Sequence, residues 1–159
     1  MLAAVLTVSD RCAGGLAVDT AGPAVAAILE QRWPDAKILT ALVPDEIAEI
    51  AAHLTQWSGQ GAALVLTVGG TGLGPRDLTP EATRGVIDRE APGIAEAMRS
   101  SGARQNPMAW LSRGVAGLKG NTLLVNLPGS LRGAQESLIA ILPLLRHGLE
   151  TIAGSETHE

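Results

Sequence analysis

The amino-acid sequence predicts a single three-layer α/β/α domain with a mainly parallel sheet. Short apolar runs alternate with segments of helical apolar spacing, each unit ends in a polar or glycine-rich loop, and no linker or repeat interrupts the pattern. The chain has 159 residues and one cysteine, Cys12, so its core must form without disulfides. We expect the domain to span residues 1-154 and residues 155-159 to form a frayed tail.

The first two units each consist of a strand followed by a helix. The apolar run 2–8 is too short for an ordinary helix and ends in a polar loop, which predicts a buried strand. Helical apolar spacing follows behind Gly22-Pro23, where proline suits the first helical position. Residues 38–43 predict a second strand. The helix after it carries an apolar stripe formed by Ile47, Ile50, Ala51 and Leu54.

The third unit repeats this plan with a longer connection. Residues 62–68 predict a buried strand, and a glycine-rich loop follows over residues 69–77. Thr79-Pro80 then begins a helix, because threonine and proline are typical of helix starts. A short helix is expected at residues 94–98.

The last part of the chain contains a turn-rich interruption. Residues 112–120 include three glycines and predict a connection or small hairpin that leads into a strand at 122–126. The final helix presents an apolar face from residue 134 to 152 and ends at Gly154. We expect Pro143 to bend this helix, because proline lacks the N–H that the helix needs there.

The predicted strand ends indicate where a ligand would bind. In open α/β sheets, ligands bind beyond the carboxyl ends of the strands, where free backbone N–H groups point outward. Parallel strands would place four polar or glycine-rich segments on one rim. These segments are Thr7 to Arg11, Leu42 to Glu46, Thr67 to Gly72, and Asn126 to Ser130.

The glycine-rich loop is the most distinctive of these segments. Gly69, Gly70 and Gly72 allow the backbone to approach an anion closely, and Thr71 adds a hydroxyl donor. The loop matches neither G-x-x-x-x-G-K-[ST] nor G-x-G-x-x-G. The alternative is an ordinary glycine turn between a strand and a helix.

Two carboxylates, Asp45 and Asp77, belong to the same predicted rim. Either one alone could stabilise a helix start, where a carboxylate accepts free N–H groups. Together with the glycine loop they match a magnesium–polyphosphate site, because Mg²⁺ takes one or two carboxylates and completes its shell with water and phosphates. Asp45 and Asp77 are therefore the predicted catalytic and metal-binding residues.

The first loop adds Ser9, Asp10 and Asp19 as candidate ligand-binding residues. Structural alternatives are open for two of them, because Asp10 could pair with Arg11 and Asp19 could cap the next helix. Charge-assisted hydrogen bonds to phosphate could come from three basic residues: Arg76, Arg113 and Lys119.

Composition and motifs exclude several classes of protein. The 12 basic and 16 acidic residues give a net charge of −4, and the basic residues are scattered, which argues against nucleic-acid binding. No apolar run approaches the roughly 20 residues of a membrane helix, and we expect a cytoplasmic protein with no membrane partner. The three histidines form no metal-ligand pattern, and the G-x-S-x-G element of many serine hydrolases is missing.

The run from Gly69 to Thr83, GGTGLGPRDLTPEAT, is similar to that of the molybdopterin adenylyltransferases, the MogA-like enzymes and the G domains of gephyrin. One departure lies in the first loop, where Ala21 replaces the serine that the family commonly has in an Asp-x-Ser-Gly-Pro turn. Other segments resemble the family and occur in its order: Thr7 to Arg11, Val43 to Glu46, Leu111 to Gly120, and Asn126 to Ser130.

The resemblance implies the molybdopterin-binding fold, a homotrimer, and transfer of AMP from Mg²⁺-bound ATP to molybdopterin with release of pyrophosphate. Asp45 and Asp77 match the family's essential acidic positions, and Gly69 to Gly72 match its nucleotide loop. Residues placed where the family handles pterin and phosphates are Ser112, Arg113, Pro128, Gly129 and Ser130. The resemblance also implies that a separate protein inserts molybdate.

Two other functions are compatible with this resemblance. One is a molybdopterin-binding protein of the same fold without adenylyltransferase activity, and the other is a trimerising scaffold domain. Pro75-Arg76-Asp77, followed by Thr79-Pro80, favours the branch that transfers adenylyl groups.

Overall fold

The computed structural model describes residues 1–154, and the predicted tail at 155-159 lies outside the described residues. The strands, numbered along the chain, are β1 (Leu2–Val8), β2 (Lys37–Val43), β3 (Leu64–Val68), β4 (Arg89–Glu90), β5 (Ala116–Lys119) and β6 (Thr122–Leu127). The helices are α1 (Asp10–Ala13), α2 (Ala21–Arg32), α3 (Ile47–Gly59), α4 (Thr79–Arg84), α5 (Pro92–Ala103) and α6 (Leu131–Ile152), with a 3₁₀ helix at Pro107–Leu111.

The strands form one six-stranded sheet in the order β2-β1-β3-β6-β5-β4. The four strands β2, β1, β3 and β6 are parallel, whereas β5 pairs antiparallel with β6 and β4 pairs antiparallel with β5. The turn-rich segment before β6 is thus a hairpin with Gly120 at its turn. The prediction of a mainly parallel sheet is confirmed.

Helices cover both faces of the sheet, as a three-layer architecture requires. Successive strand residues point to opposite faces, so Ala3 and Val5 of β1 join one core while Ala4 and Leu6 join the other. Helices α2, α5 and α6 pack on the first core, and α3 and α4 pack on the second. Both layers predicted from the alternation are therefore present.

Several element boundaries differ from the predictions. The helix expected at 94–98 extends over Pro92–Ala103, because proline at its first turn and buried Ala95 and Met98 support a longer helix. Strand β3 begins at Leu64 rather than at residue 62. Ile47, predicted on a buried stripe, is 44% exposed because it is the first residue of α3 and lies at the rim.

The strand order creates a switch point beside β1. The chain leaves β1 for β2 on one side and enters β3 on the other, so the loops after β1 and β3 diverge over neighbouring strands. Such a point opens a crevice at the carboxyl ends of the strands, where ligands bind in open α/β sheets. Within residues 1–154 we find no helix with the length and apolar character needed to cross a membrane.

Candidate active site

The four predicted rim segments converge at this crevice. A cavity of about 330 Å³ opens between the loops that follow β1, β2, β3 and β6. Its lining includes the predicted site residues Ser9, Asp10, Asp19, Asp45, Gly69, Gly70, Asp77 and Gly129. Parallel pairing explains the convergence, because all four strands end on the same edge.

The glycine loop runs through the centre of the site in a backbone conformation that requires glycine. Gly69 and Gly70 have φ angles of 105° and 67°, which side chains rarely permit. Thr79 lies beneath the loop with no exposed surface, and its Oγ1 donates to the Gly69 carbonyl at 2.9 Å. Its backbone N–H donates to the Gly70 carbonyl at 3.1 Å.

This arrangement leaves three successive backbone donors of the loop without a partner among the described residues. Gly69 N donates to Leu127 O, but the N–H groups of Gly70, Thr71 and Gly72 donate to no acceptor among the described residues. Unpaired backbone N–H groups in a glycine loop form a concave anion site. The loop therefore has the donors that a phosphate chain needs.

Asp45 is buried at the edge of this loop and is held by the first loop of the chain. The N–H of Asp10 donates to Asp45 Oδ2 at 2.9 Å, and the N–H of Asp45 donates to Asp10 Oδ1 at 3.0 Å. Burial raises the pKa of the Asp45 carboxyl above its usual value, and the nearby charges of Asp10 and Asp77 add to the rise. A cation at this point would offset that cost.

Asp77 is the last residue of the glycine-rich loop and lines the same cavity as Asp45. Its Oδ2 accepts the N–H of Gly74 at 2.8 Å, which closes the turn between Gly74 and Asp77. The alternative that Asp45 and Asp77 cap their following helices is wrong, because Glu46 and Leu78 are the capping residues and neither helix has a side-chain cap. Both carboxylates line the rim cavity instead.

A salt-bridge network closes the rim above Asp45. Arg76 donates through Nε to Asp10 Oδ2 at 2.9 Å and through Nη2 to Glu46 Oε1 at 2.9 Å. This contact lowers the pKa of Asp10 and raises that of the Arg76 guanidinium. The predicted alternative of an Asp10–Arg11 pair is wrong, because loop folding brings Arg76 to Asp10 across 66 positions of sequence.

The remaining first-loop residues have local hydrogen bonds. Asp19 accepts the Gly22 N–H at 3.0 Å and the Thr7 hydroxyl at 2.6 Å, so it helps to cap the first turn of α2, although the N-cap residue is Thr20. Ser9 Oγ accepts the N–H of Cys12 at the start of α1. Ser9 and Asp19 nevertheless line the rim cavity.

A second, larger cavity of about 520 Å³ adjoins the first. One wall is the glycine loop with the turn of Pro128, Gly129 and Ser130, and the opposite wall belongs to α5, the 3₁₀ helix and α6. The apolar part of that opposite wall consists of Ala95, Met98, Met108, Ala109 and Leu111. The two cavities share Gly70, Asp77 and Gly129 in their linings.

Arg99 is a residue of this larger cavity that the sequence did not predict. Its Nη1 donates to the carbonyls of Ser112 at 3.2 Å and Gly114 at 2.9 Å, while its Nε and Nη2 donate to no other described residue. Arg132, the other cation of the lining, is already paired with Glu136 and Gln105. No motif surrounds Arg99, so its place in the fold was the only signal.

Predicted polar residues around this cavity differ in their surroundings. Ser112 and Ser130 line it, and each hydroxyl also accepts a local N–H, from Gly114 and Gly133. Lys119, a candidate phosphate partner, pairs with Asp88 at the β5–β6 hairpin and lines neither of the two cavities.

The donor set around the loop fits a hard divalent cation that shares its shell with phosphates. Within residues 1–154, no group of three or more His, Cys, Asp and Glu side chains forms a metal site built from protein alone. Asp45 and Asp77 are two carboxylates at one cavity, and Mg²⁺ characteristically binds through one or two carboxylates plus substrate oxygens. The raised pKa of Asp45 marks a buried charge that a cation would stabilise.

Comparisons with known proteins agree with this architecture. Residues 4–147 match the family described as "Probable molybdopterin binding domain". The chain is 43% identical over 136 residues to a molybdopterin adenylyltransferase of Haemophilus influenzae. The matched region covers 84% of this chain and 69% of that protein. The crystal structure of the molybdopterin biosynthesis enzyme MoaB from Thermus thermophilus is similar with a TM-score of 0.89 at 50% identity, covering 96% of both chains.

Longer relatives contain the same domain as one part. The chain is 39% identical over 157 residues to gephyrin of Dictyostelium discoideum, where 93% of this chain matches 22% of that protein. It spans 49% of a molybdenum cofactor biosynthesis bifunctional protein of Synechococcus elongatus at 41% identity. The chain thus covers half or less of the length of these relatives.

Proposed function

The chain belongs to the molybdopterin-binding domain family of molybdenum cofactor biosynthesis, and on that premise we propose that it transfers AMP from Mg-ATP to molybdopterin. The products are adenylylated molybdopterin and pyrophosphate. The observation that carries the proposal is the junction of the two cavities at Gly70, Asp77 and Gly129. Two phosphorylated substrates bound in adjoining cavities would meet at a loop of free backbone donors.

The rim cavity suits the triphosphate of ATP. The free N–H of Gly70, which lines this cavity, would donate to a phosphate oxygen, and the free N–H groups of Thr71 and Gly72 belong to the lining of the adjoining larger cavity. Asp45 and Asp77 would hold Mg²⁺, which when bound neutralises phosphate charge and favours departure of pyrophosphate. The larger cavity suits the acceptor, because its apolar wall fits a planar ring system and its opposite wall carries donors.

The chemistry needs no nucleophilic side chain. A terminal phosphate oxygen of molybdopterin attacks the α-phosphorus of ATP, a new P–O bond forms, and the bond to the β-phosphate oxygen breaks. Both reactants are anions, so the main barriers are repulsion and misalignment. The residues of this chain reduce those barriers by fixing the two phosphates at one loop and surrounding them with oriented N–H donors.

Pyrophosphate release tests the proposal directly. We expect purified protein to release pyrophosphate from ATP only when both Mg²⁺ and molybdopterin are present, and EDTA in excess over the metal to stop the reaction. Binding of molybdopterin without ATP turnover would favour a binding protein of the same fold. A protein that binds neither substrate but forms a trimer would favour a scaffold domain.

The larger cavity yields a separate prediction for Arg99. Arg99→Gln removes the charge of a lining arginine whose Nε and Nη2 donate to no other described residue, so the KM for molybdopterin should rise about tenfold. The KM for ATP should change much less. Arg104→Gln is the matched control, because this exposed arginine at the end of α5 does not line the cavity. Equal effects of the two substitutions on the acceptor KM would contradict the assignment.

We also propose that the enzyme works in the cytoplasm as a homotrimer and passes its product to a separate protein that inserts molybdate. The match to about half of a bifunctional cofactor-biosynthesis protein supports a second activity that acts next to this one. Light scattering of the purified protein tests the trimer, and a mass of one or two chains would contradict it.

A further inference from the structure

Arg113 is held by hydrogen bonds to the glycine loop and to Glu81. It lies on the segment before β5, and its side chain contacts the glycine loop and α4. Its Nε donates to the Gly72 carbonyl at 2.8 Å, and its Nη2 donates to the Asp77 carbonyl at 2.6 Å. Its backbone N–H donates to the Thr71 carbonyl at 2.8 Å.

The other side-chain hydrogen bonds of Arg113 go to Glu81. This glutamate, on α4, accepts from Nη1 through Oε1 and from Nη2 through Oε2. The pairing lowers the pKa of Glu81, with the Arg113 hydrogen bond as the main cause. All three guanidinium nitrogens therefore have partners within the protein, and the side chain is only 33% exposed.

The carbonyl groups that accept hydrogen bonds from Arg113 explain why its position matters. The carbonyls of Thr71, Gly72 and Asp77 belong to the segment that carries the free N–H groups and the Asp77 carboxylate. Because glycines restrict the backbone little, a glycine-rich loop needs outside contacts to keep one shape. The planar fork of an arginine fixes two carbonyls in one plane, which a lysine ammonium does not do.

We propose that Arg113 is a positioning residue, which holds the glycine loop in its phosphate-binding shape through the carbonyls of Gly72 and Asp77, with Glu81 orienting the guanidinium. The proposal deepens the function proposed above, and it rests on that function for the binding of phosphate by the loop. Arg113 acts on the reaction through the loop and does not contact the substrates. The preorganised loop stabilises the transition state at no further cost in ordering.

Arg113→Lys and Glu81→Gln test this role, with Arg84→Lys as the matched control. Arg84 is on the same helix as Glu81, and its one ion pair among residues 1–154 is a 3.7 Å contact with Glu90. We expect each test substitution to lower kcat for pyrophosphate release about tenfold with a smaller change in the KM for ATP. The double variant should lose little more than either single variant, because both disrupt one unit. The control should stay within twofold of the wild type.

A measurement on the free protein separates this proposal from the proposed function. The N–H groups of Gly74, Asp77 and Thr79 are hydrogen-bonded within the loop or to it. Their hydrogen exchange, followed by NMR, should become about tenfold faster in Arg113→Lys and Glu81→Gln but not in Arg84→Lys. If the wild type does not turn over ATP, the proposed function fails. The exchange measurement still tests whether Arg113 and Glu81 hold the glycine loop.

Two results would overturn the positioning role. One is unchanged loop exchange in both test variants. The other is tighter binding of Mg-ATP by Glu81→Gln than by the wild type, since releasing Arg113 from its carboxylate would help only if the guanidinium bound phosphate itself.

Discussion

Asp45→Asn is expected to lower kcat for adenylyl transfer at least about 100-fold while leaving the fold intact. The loss follows from removing one of two carboxylates that would hold Mg²⁺ beside the glycine loop, and single groups that stabilise transition-state charge are worth about this much. The fold should survive, because an asparagine oxygen can still accept the N–H of Asp10. Steady-state pyrophosphate release and far-UV circular dichroism measure the two quantities.

Stability should move in the opposite direction from activity. Burial raises the pKa of Asp45 in the folded protein above the usual value of 3.8 that applies when the chain is unfolded. Between those two pKa values the folded state holds more protons, so the contribution of Asp45 to the free energy of unfolding falls as pH rises. At pH 7 the metal-free Asp45→Asn variant should therefore be more stable than the wild type, and the difference should shrink toward pH 4.

Asp35→Asn is the control for both measurements. Asp35 is an exposed carboxylate before β2, at the edge of the sheet opposite the candidate active site. Its substitution should leave kcat and the free energy of unfolding at pH 7 close to the wild-type values. Full activity of Asp45→Asn would remove Asp45 from the catalytic site. A variant that fails to fold would instead assign Asp45 a structural role.

The parts of the site that follow from strand direction could be predicted from the sequence. Asp45 and Asp77 are 32 positions apart, yet each follows the carboxyl end of a strand, and parallel strands end on one edge. The glycine loop was identifiable because a run of four glycines within six residues after a buried strand is a local pattern. Strand direction and local pattern together placed the two carboxylates and the loop on one rim.

Contacts that depend on strand order and loop shape could not be predicted. Arg76 reaches Asp10 only because β1 and β3 are neighbours, and the sequence did not give the order of the strands. Arg99 gained its place through a helix longer than its apolar spacing indicated. Arg113 has a basic side chain of the expected kind, but only the three-dimensional contacts with Gly72 and Asp77 show that its donors are already used.

Arg76 and Arg113 both link the glycine loop to other parts of the site. Arg76 belongs to the loop and reaches outward to Asp10 and Glu46, whereas Arg113 reaches inward to loop carbonyls. A half-exposed pair such as Arg76–Glu46 contributes little to stability because water screens it. We therefore expect both arginines to affect the geometry of the loop more than the free energy of unfolding.

Gly70→Ala should cause a large loss of stability. The residue has a φ of 67°, where an L-residue costs on the order of 1–2 kcal/mol. A Cβ there would also lie 2.3 Å from Thr79 Oγ1 and 2.9 Å from Asp45 Oδ1. Thr79 is buried and its hydroxyl already donates to Gly69, so it has little room to move.

Gly61→Ala separates the cost of backbone strain from the cost of steric overlap. Gly61 has a φ of 84° but no atom within 4 Å of an added Cβ, and it precedes β3 at the opposite edge of the sheet. Its substitution should cost about 1–2 kcal/mol of unfolding free energy and leave activity unchanged. Gly70→Ala should cost roughly 1–3 kcal/mol more, because steric overlap adds to backbone strain.

Urea unfolding gives both free energies, and pyrophosphate release under conditions where each variant is folded gives the activities. Gly70→Ala should also lose most of its kcat, because relieving the overlap must displace Thr79, the glycine loop or the Asp45 carboxylate. Equal costs for the two variants would mean that the crowding at Gly70 is easily relieved. Full activity in a folded Gly70→Ala protein would show that the tight packing of this loop against Asp45 is not required for transfer.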